Sequence, residues 1–266
     1  MRRAVGPGVL VLGLLAPFVP LLAWAVAGGY GYPALLPEPS ARGARLLATP
    51  AVVEAAVTSM LVGIVVAVLA TAAGTAAGRA LGGHRFRGRG IVAAVLVAPV
   101  VVPALATTLG IQVFFVRYGL ADTVAGVVLV QLVPAVPYAS LVMAAAFARL
   151  DPDAEDQARM LGAGPWQRTR HVVAPAVAPA AAVAALFTFL ISWSEYILTL
   201  LIGGGTVRTL PLVLFAAIGS GDLPAAAALS LALALPPLLL VGFTARRLAG
   251  AGPISRDLGP AAMVRP

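Results

Sequence analysis

Cysteine is absent from the 266 residues, so disulfide frameworks and thiol chemistry are excluded. Lysine is absent too: all 18 basic residues are arginine. A P-loop needs a lysine to reach the nucleotide phosphates, so this chain carries no ordinary P-loop and does not hydrolyse ATP by that route. Charge is scarce at 11%, against 61% hydrophobic residues and a mean hydropathy of +0.99. Soluble domains run nearer half apolar and a quarter charged. Histidine occurs only as His84 and His171, in basic connections and without partners at metal-ligand spacing, so both are read as solvated. Paired intramembrane aspartates and a histidine-rich motif are both missing, which argues against a membrane-embedded enzyme.

What is present is long apolar sequence. A membrane helix needs about 20 mostly apolar residues, and six stretches qualify. They run from about Val9 to Gly28, Val52 to Ala77, Ile91 to Phe115, Val124 to Phe147, Val177 to Ile202 and Ala225 to Phe243. The expected fold is therefore all-α and polytopic, with six transmembrane helices. With the N-terminus inside, 14 arginines fall on the cytoplasmic side: Arg2, Arg3, Arg79, Arg85, Arg87, Arg89, Arg149, Arg159, Arg168, Arg170, Arg246, Arg247, Arg256 and Arg265. Four fall outside, Arg42, Arg45, Arg117 and Arg208. That asymmetry follows the positive-inside rule and puts both termini in the cytoplasm. Because the arginines sit in short connections and form no basic face, the formal charge of +8 does not imply nucleic-acid binding.

Arg2 and Arg3 before an apolar run also fit a cleaved signal peptide. The length of the run and its Pro17 and Pro20 favour an uncleaved first helix. The organisation expected is a first helix and outer loop over 1–50, a membrane core over 51–248 and a disordered cytoplasmic tail over 249–266. Pro99, Pro103, Pro134, Pro137, Pro236 and Pro237 lie inside spans. Each leaves a carbonyl without its helical donor, which neighbouring helices or cavity water must satisfy. Small residues crowd the second span at Ala70, Ala72, Ala73, Gly74, Ala76 and Ala77, the composition that lets helix backbones approach closely.

One connection does not read as a loop. The stretch 149–175, RLDPDAEDQARMLGAGPWQRTRHVVAP, holds four of the ten acidic residues. Asp151 suits an N-cap with Pro152 at the first helical position. Asp153, Glu155 and Asp156 sit where the helix dipole favours anions. Ala154, Ala158 and Leu161 have helical spacing, and Gly162 ends the helix through a left-handed conformation. Pro165 opens a second short helix through Trp166 and Arg170, with Pro175 expected to mark its end. An amphipathic segment lying on the membrane is the alternative. The acids oppose it, because the cytoplasmic leaflet is negative. An exposed Trp166 suits docking of a soluble partner.

This stretch resembles the EAA loop of binding-protein-dependent ABC transporter permeases (MetI-like inner-membrane components). The family pattern, roughly L-D-P-x-x-E-E-A-A-R-x-L-G-A-x-P-W-x-x-x-x-x-V-x-x-P, is matched at Leu150, Asp151, Pro152, Glu155, Ala158, Arg159, Leu161, Gly162, Ala163, Pro165, Trp166, Val172 and Pro175. Asp156 stands for the second glutamate and Gln157 for the first alanine. Gly119-Leu120-Ala121-Asp122-Thr123, Pro137-Tyr138, Ser192-Trp193-Ser194-Glu195-Tyr196 and Thr209-Leu210-Pro211 extend the resemblance over roughly 52–248.

The resemblance implies a non-enzymatic permease subunit of an ABC importer. ATP and magnesium would be bound by a separate dimeric ATPase, with none held by this chain. A second permease chain or copy and an extracytoplasmic solute-binding protein would complete the system in a bacterial inner membrane. The resemblance assigns ATPase coupling to Asp156, Ala158, Gly162, Ala163, Pro165, Trp166 and Arg170. A translocation pathway is expected near Ser192, Trp193, Glu195 and Tyr196. Glu195 is the one acid well inside an apolar run; it lines a pathway or bonds structurally to a neighbour. Glu54, at a span end, reads as an interfacial charge. The pattern around the fifth span looks closest to the polyamine and ferric-iron subgroup, with a sugar-type importer or a stand-alone ion-coupled carrier as alternatives.

Overall fold

The computed structural model describes residues 13, 16–28, 38–102 and 104–250. Arg2, Arg3, Pro103 and the tail 251–266 lie outside the described residues, as does part of the first expected span. Regular structure among the described residues is helical, apart from an isolated bridge between Ala27 and Pro39. Short helices α1 (Phe18–Ala25) and α2 (Arg42–Leu47) precede the long α3 (Pro50–Gly83). Then come α4 (Arg89–Val101), α5 (Ala104–Arg117), α6 (Val124–Ala148) and the small α7 (Pro152–Met160). A continuous helix, α8 (Pro165–Trp193), is followed by α9 (Ile197–Gly203), α10 (Leu210–Gly219) and α11 (Leu223–Gly250).

Four helices are long and apolar enough to cross a membrane: α3, α6, α8 and the Leu223–Leu240 part of α11. The sequence led us to expect six. The third expected span is two shorter helices, α4 and α5. Val102 between them is extended, as a residue before proline tends to be. The fifth ends at Trp193 rather than near Ile202. There Ser194 Oγ donates back to the Leu190 carbonyl and the chain turns before α9. Of the first expected span, the described helix is the 8 residues of α1. Helix α10 was not anticipated, because its 10 residues are too few to span. Helix α11 runs on through Arg247 to Gly250.

The centre of the fold is the seam between α3 and α6, against which α8 also packs. Gly74 and Gly78 of α3 press on α6. A Cβ at Gly78 would lie 2.5 Å from Met143 Cβ and 2.7 Å from the Ala144 nitrogen, so nothing larger than glycine fits. Of the small residues expected to permit close approach, Ala70 and Gly74 are buried, whereas Ala72, Ala73 and Ala76 are exposed. One core layer joins Val62, Val66 and Ala70 to Val127, Val128 and Ala135. A second joins Ala139, Met143 and Phe147 to Val173, Val177 and Ala184. A third gathers Phe189, Trp193, Leu210, Leu214 and Leu229 where α8, α10 and α11 meet α3. The opposite faces carry exposed Leu61, Val68, Leu141 and Phe187, an apolar surface suited to lipid.

Candidate functional site: the 149–175 loop and the helix break at 194–196

Helix α7 forms because its ends are satisfied locally. Asp151 Oδ1 accepts from the Asp153 nitrogen at 3.0 Å, and Pro152, which has no N–H, needs no acceptor there. At the other end the Ala163 nitrogen donates to the Ala158 carbonyl and the Gly162 nitrogen to the Arg159 carbonyl, both at 3.0 Å. This is a Schellman turn, and it requires the left-handed Gly162, whose φ is +84°. Ala158, Gly162 and Ala163 are thus the frame of the elbow. The next helix starts at Pro165, with the Gln167 side-chain oxygen accepting from the Gly164 nitrogen at 2.9 Å.

That second helix does not stop at Pro175. A π-helical turn, Thr169–Val173, accommodates the proline, and the helix continues into the membrane span as far as Trp193. From the elbow's second helix to Trp193, α8 is therefore one 29-residue rod, about 43 Å long at 1.5 Å per residue.

The elbow turns its apolar residues to solvent. Met160 is 80% exposed, Leu161 89% and Trp166 71%. Asp156, Pro165 and Arg170 are exposed beside them, and Asp156 pairs with Arg159 at 3.4 Å. Leu161, read from the sequence as part of a helical stripe, points outward instead. Such contiguous apolar exposure marks an interaction surface.

Glu155 faces the other way. Its carboxylate lies 3.4 Å from Arg79 of α3 and 3.6 Å from Arg168 of α8. It also lines a cleft of about 310 Å³ with Arg79, His84, Asp151 and Arg159. Sequence reasoning named Glu155 as a helix-start acid and motif match, and Arg79 and Arg168 as loop arginines, but did not pair them. An acid one residue from Asp156 gives no local signal that it turns inward; only the spacing of about a quarter turn per residue hinted at different faces.

The four residues expected to line a pathway divide into two pairs. Ser192 and Trp193 are buried and bonded within the chain. Ser192 Oγ donates to Gln131 Oε1, and Gln131 Nε2 donates to Thr199 Oγ1 at 2.9 Å, a buried network joining α8, α6 and α9. Trp193 Nε1 donates to the Leu233 carbonyl of α11 at 2.8 Å. Glu195 and Tyr196 are half-buried at the break between α8 and α9. Glu195 Oε1 accepts from the Leu198 nitrogen at 2.9 Å, capping α9, while Tyr196 stacks on Phe215 at 4.1 Å. The Gly119–Thr123 motif is a tight turn. Asp122 takes a positive φ of 61°, and its nitrogen bonds the Ile202 carbonyl at 2.7 Å.

Residues 70–249 match the family described as the binding-protein-dependent transport system inner membrane component. The chain belongs to this family. The match contains the elbow, the rod and the helix break. Relatives include the trehalose transport system permease protein SugB of Mycobacterium tuberculosis, 37% identical over 31% of this chain and 30% of its own. The putrescine transport system permease protein PotI of Escherichia coli is 28% identical over 60% of this chain and 59% of its own. The chain thus spans at most about three-fifths of the length of the curated relatives it matches. A bacterial ABC transporter involved in import of the acidic polysaccharide alginate shares the fold. Its TM-score is 0.65 at 17% identity, covering 92% of this chain and 94% of that one. A bacterial alginate ABC transporter in complex with an alginate pentasaccharide-bound periplasmic protein gives a TM-score of 0.68 at 15% identity, covering 93% of this chain and 94% of that one. This permease family member is therefore a multi-helical membrane component of a transport system, with four helices long and apolar enough to span among its described residues.

Proposed function

We propose that this chain is the permease subunit of an ABC importer, forming part of the solute pathway and taking its energy from a separate ATPase. The observation that carries the reading is the elbow: a doubly capped helix within the family match, exposing Met160, Leu161 and Trp166 at the tip of a rod that enters the membrane. The elbow sits in a groove of the ATPase. Asp156 and Arg170 supply polar contacts, Trp166 and Pro165 supply apolar ones, and Ala158, Gly162 and Ala163 hold the turn that presents them. Both termini are cytoplasmic, a second permease half completes the pathway, and an extracytoplasmic binding protein delivers the solute.

The solute is small and polar, and we place it with the polyamine-like group. Glu195 supports this: a carboxylate held at a helix break can meet a cation while one of its oxygens caps α9. Relatives named for trehalose and for putrescine keep the sugar-type reading as the alternative.

The test is purification in mild detergent followed by uptake of labelled putrescine and trehalose in cells. Co-elution of an ATPase and a binding protein is expected, and elution alone under several detergents would sink the importer reading. Putrescine uptake that falls at least tenfold in Glu195→Gln supports the polyamine assignment. Trehalose uptake unaffected by that change would move the chain to the sugar type.

A further inference from the structure

Proline at position 237 has no N–H, so the Leu233 carbonyl four residues back has no helical donor. Trp193 provides one: its indole N–H reaches that carbonyl at 2.8 Å. Trp193 is also the last residue of the rod that begins at the cytoplasmic elbow. Along its length the rod packs mainly on α3 and α6, and it meets α11 chiefly at this end.

Beside the bond lies a cleft of about 400 Å³, lined by Leu190, Ser194, Leu214, Ser230, Ala234 and Pro237 with the two bonded residues. Protein interiors are otherwise close-packed and transmit displacement rather than absorb it. A directional hydrogen bond at the tip of the rod, with open space alongside, can pull one helix while letting both shift.

We propose that the Trp193–Leu233 contact is the joint through which movement of the elbow is passed to α11, with Pro237 keeping the acceptor carbonyl free for it. Trp193 is a positioning residue here, not a pathway residue. The cleft is the space into which α11 moves when the rod is displaced. This rests on the importer reading, since it needs an ATPase to move the elbow.

The chain's lack of cysteine makes the test direct. Ser194→Cys and Ser230→Cys place one thiol on each side of the cleft. Cross-linking by a short flexible bismaleimide is measured in the co-purified assembly with ATP and vanadate and without nucleotide. A change of threefold or more between the two states is expected. Adding Trp193→Phe, which keeps the ring and removes the donor, should abolish that dependence. Adding Pro237→Ala to that variant restores a backbone N–H for the Leu233 carbonyl but does not rejoin the two helices, so dependence should stay absent.

If Trp193→Phe fails to accumulate, Ala234→Leu asks the same question by filling the cleft, and it too should remove the dependence. Equal cross-linking in both states of the parent, or full dependence in Trp193→Phe or Ala234→Leu, overturns the joint. Absence of an ATPase from the assembly overturns the importer reading instead, so the two failures are distinguishable.

Discussion

Helices α3 and α4–α5 are both mainly apolar, yet they live in opposite packing regimes. Helix α3 buries Val62, Val66, Ala70, Gly74 and Gly78 against α6. Helix α4 has no buried residue, and α5 meets α9 and α6 through Ile111, Gln112 and Phe115. The difference is not hydrophobicity. In lipid an apolar side chain gains little by leaving solvent, so close backbone approach decides which helices associate. Helix α3 offers small residues at four-residue spacing to a partner that can use them; α4 and α5 offer Val95, Val101, Leu109 and Val113 outward.

The comparison can be broken most forcefully at Gly78. Gly78→Leu should cost about 3 kcal/mol or more through overpacking against Met143 and Ala144, read as thermal stability in detergent. Gly110→Leu on α5, where a Cβ meets nothing within 4 Å, should change stability by less than about 0.5 kcal/mol. Equal effects would remove the distinction between the two regions.

A smaller loss is expected from Ser59→Ala. Ser59 Oγ of α3 is buried and accepts from the Leu210 nitrogen at 2.7 Å, capping α10 from across the fold. Leaving that N–H unpaired should cost about 1–2 kcal/mol in the same assay. Glu155→Ala releases Arg79 and Arg168 together. Because Glu155 keeps about a quarter of its side-chain exposure, roughly 1 kcal/mol is expected, with proteolysis of the 149–175 elbow becoming faster.

The smallest effect on stability sharpens the contrast between framework and surface. Leu161→Arg should leave stability within about 0.5 kcal/mol, since Leu161 touches little of its own chain. It should nevertheless reduce co-purification of the ATPase at least tenfold. Asp156→Arg should act likewise. Unchanged co-purification in both would mean that the elbow docks elsewhere.

Much of the elbow was legible beforehand because capping is local. Asp151 with Pro152 gave the start of α7, and Gly162 gave its end, since the donors and acceptors involved lie within six residues of one another. The extended Val102 before Pro103 is local in the same way. Pro175 misled for a tertiary reason. The π turn at 169–173 absorbs it while Val173 and Val177 pack on α6, so the helix gains by continuing.

The sequence by itself determined the solvent, the approximate apolar runs and the chemistry of the elbow. These depend on composition and on neighbours in the chain. Tertiary structure alone decided that Glu155 meets Arg79 and Arg168, that Ser192 bonds Gln131, and that the carbonyl left free by Pro237 is taken by Trp193. In a soluble protein the polar stripe of a helix tells which way it faces. Here both the lipid side and the protein side are apolar, so helix rotation, and every long-range partnership that depends on it, is fixed only when the helices pack.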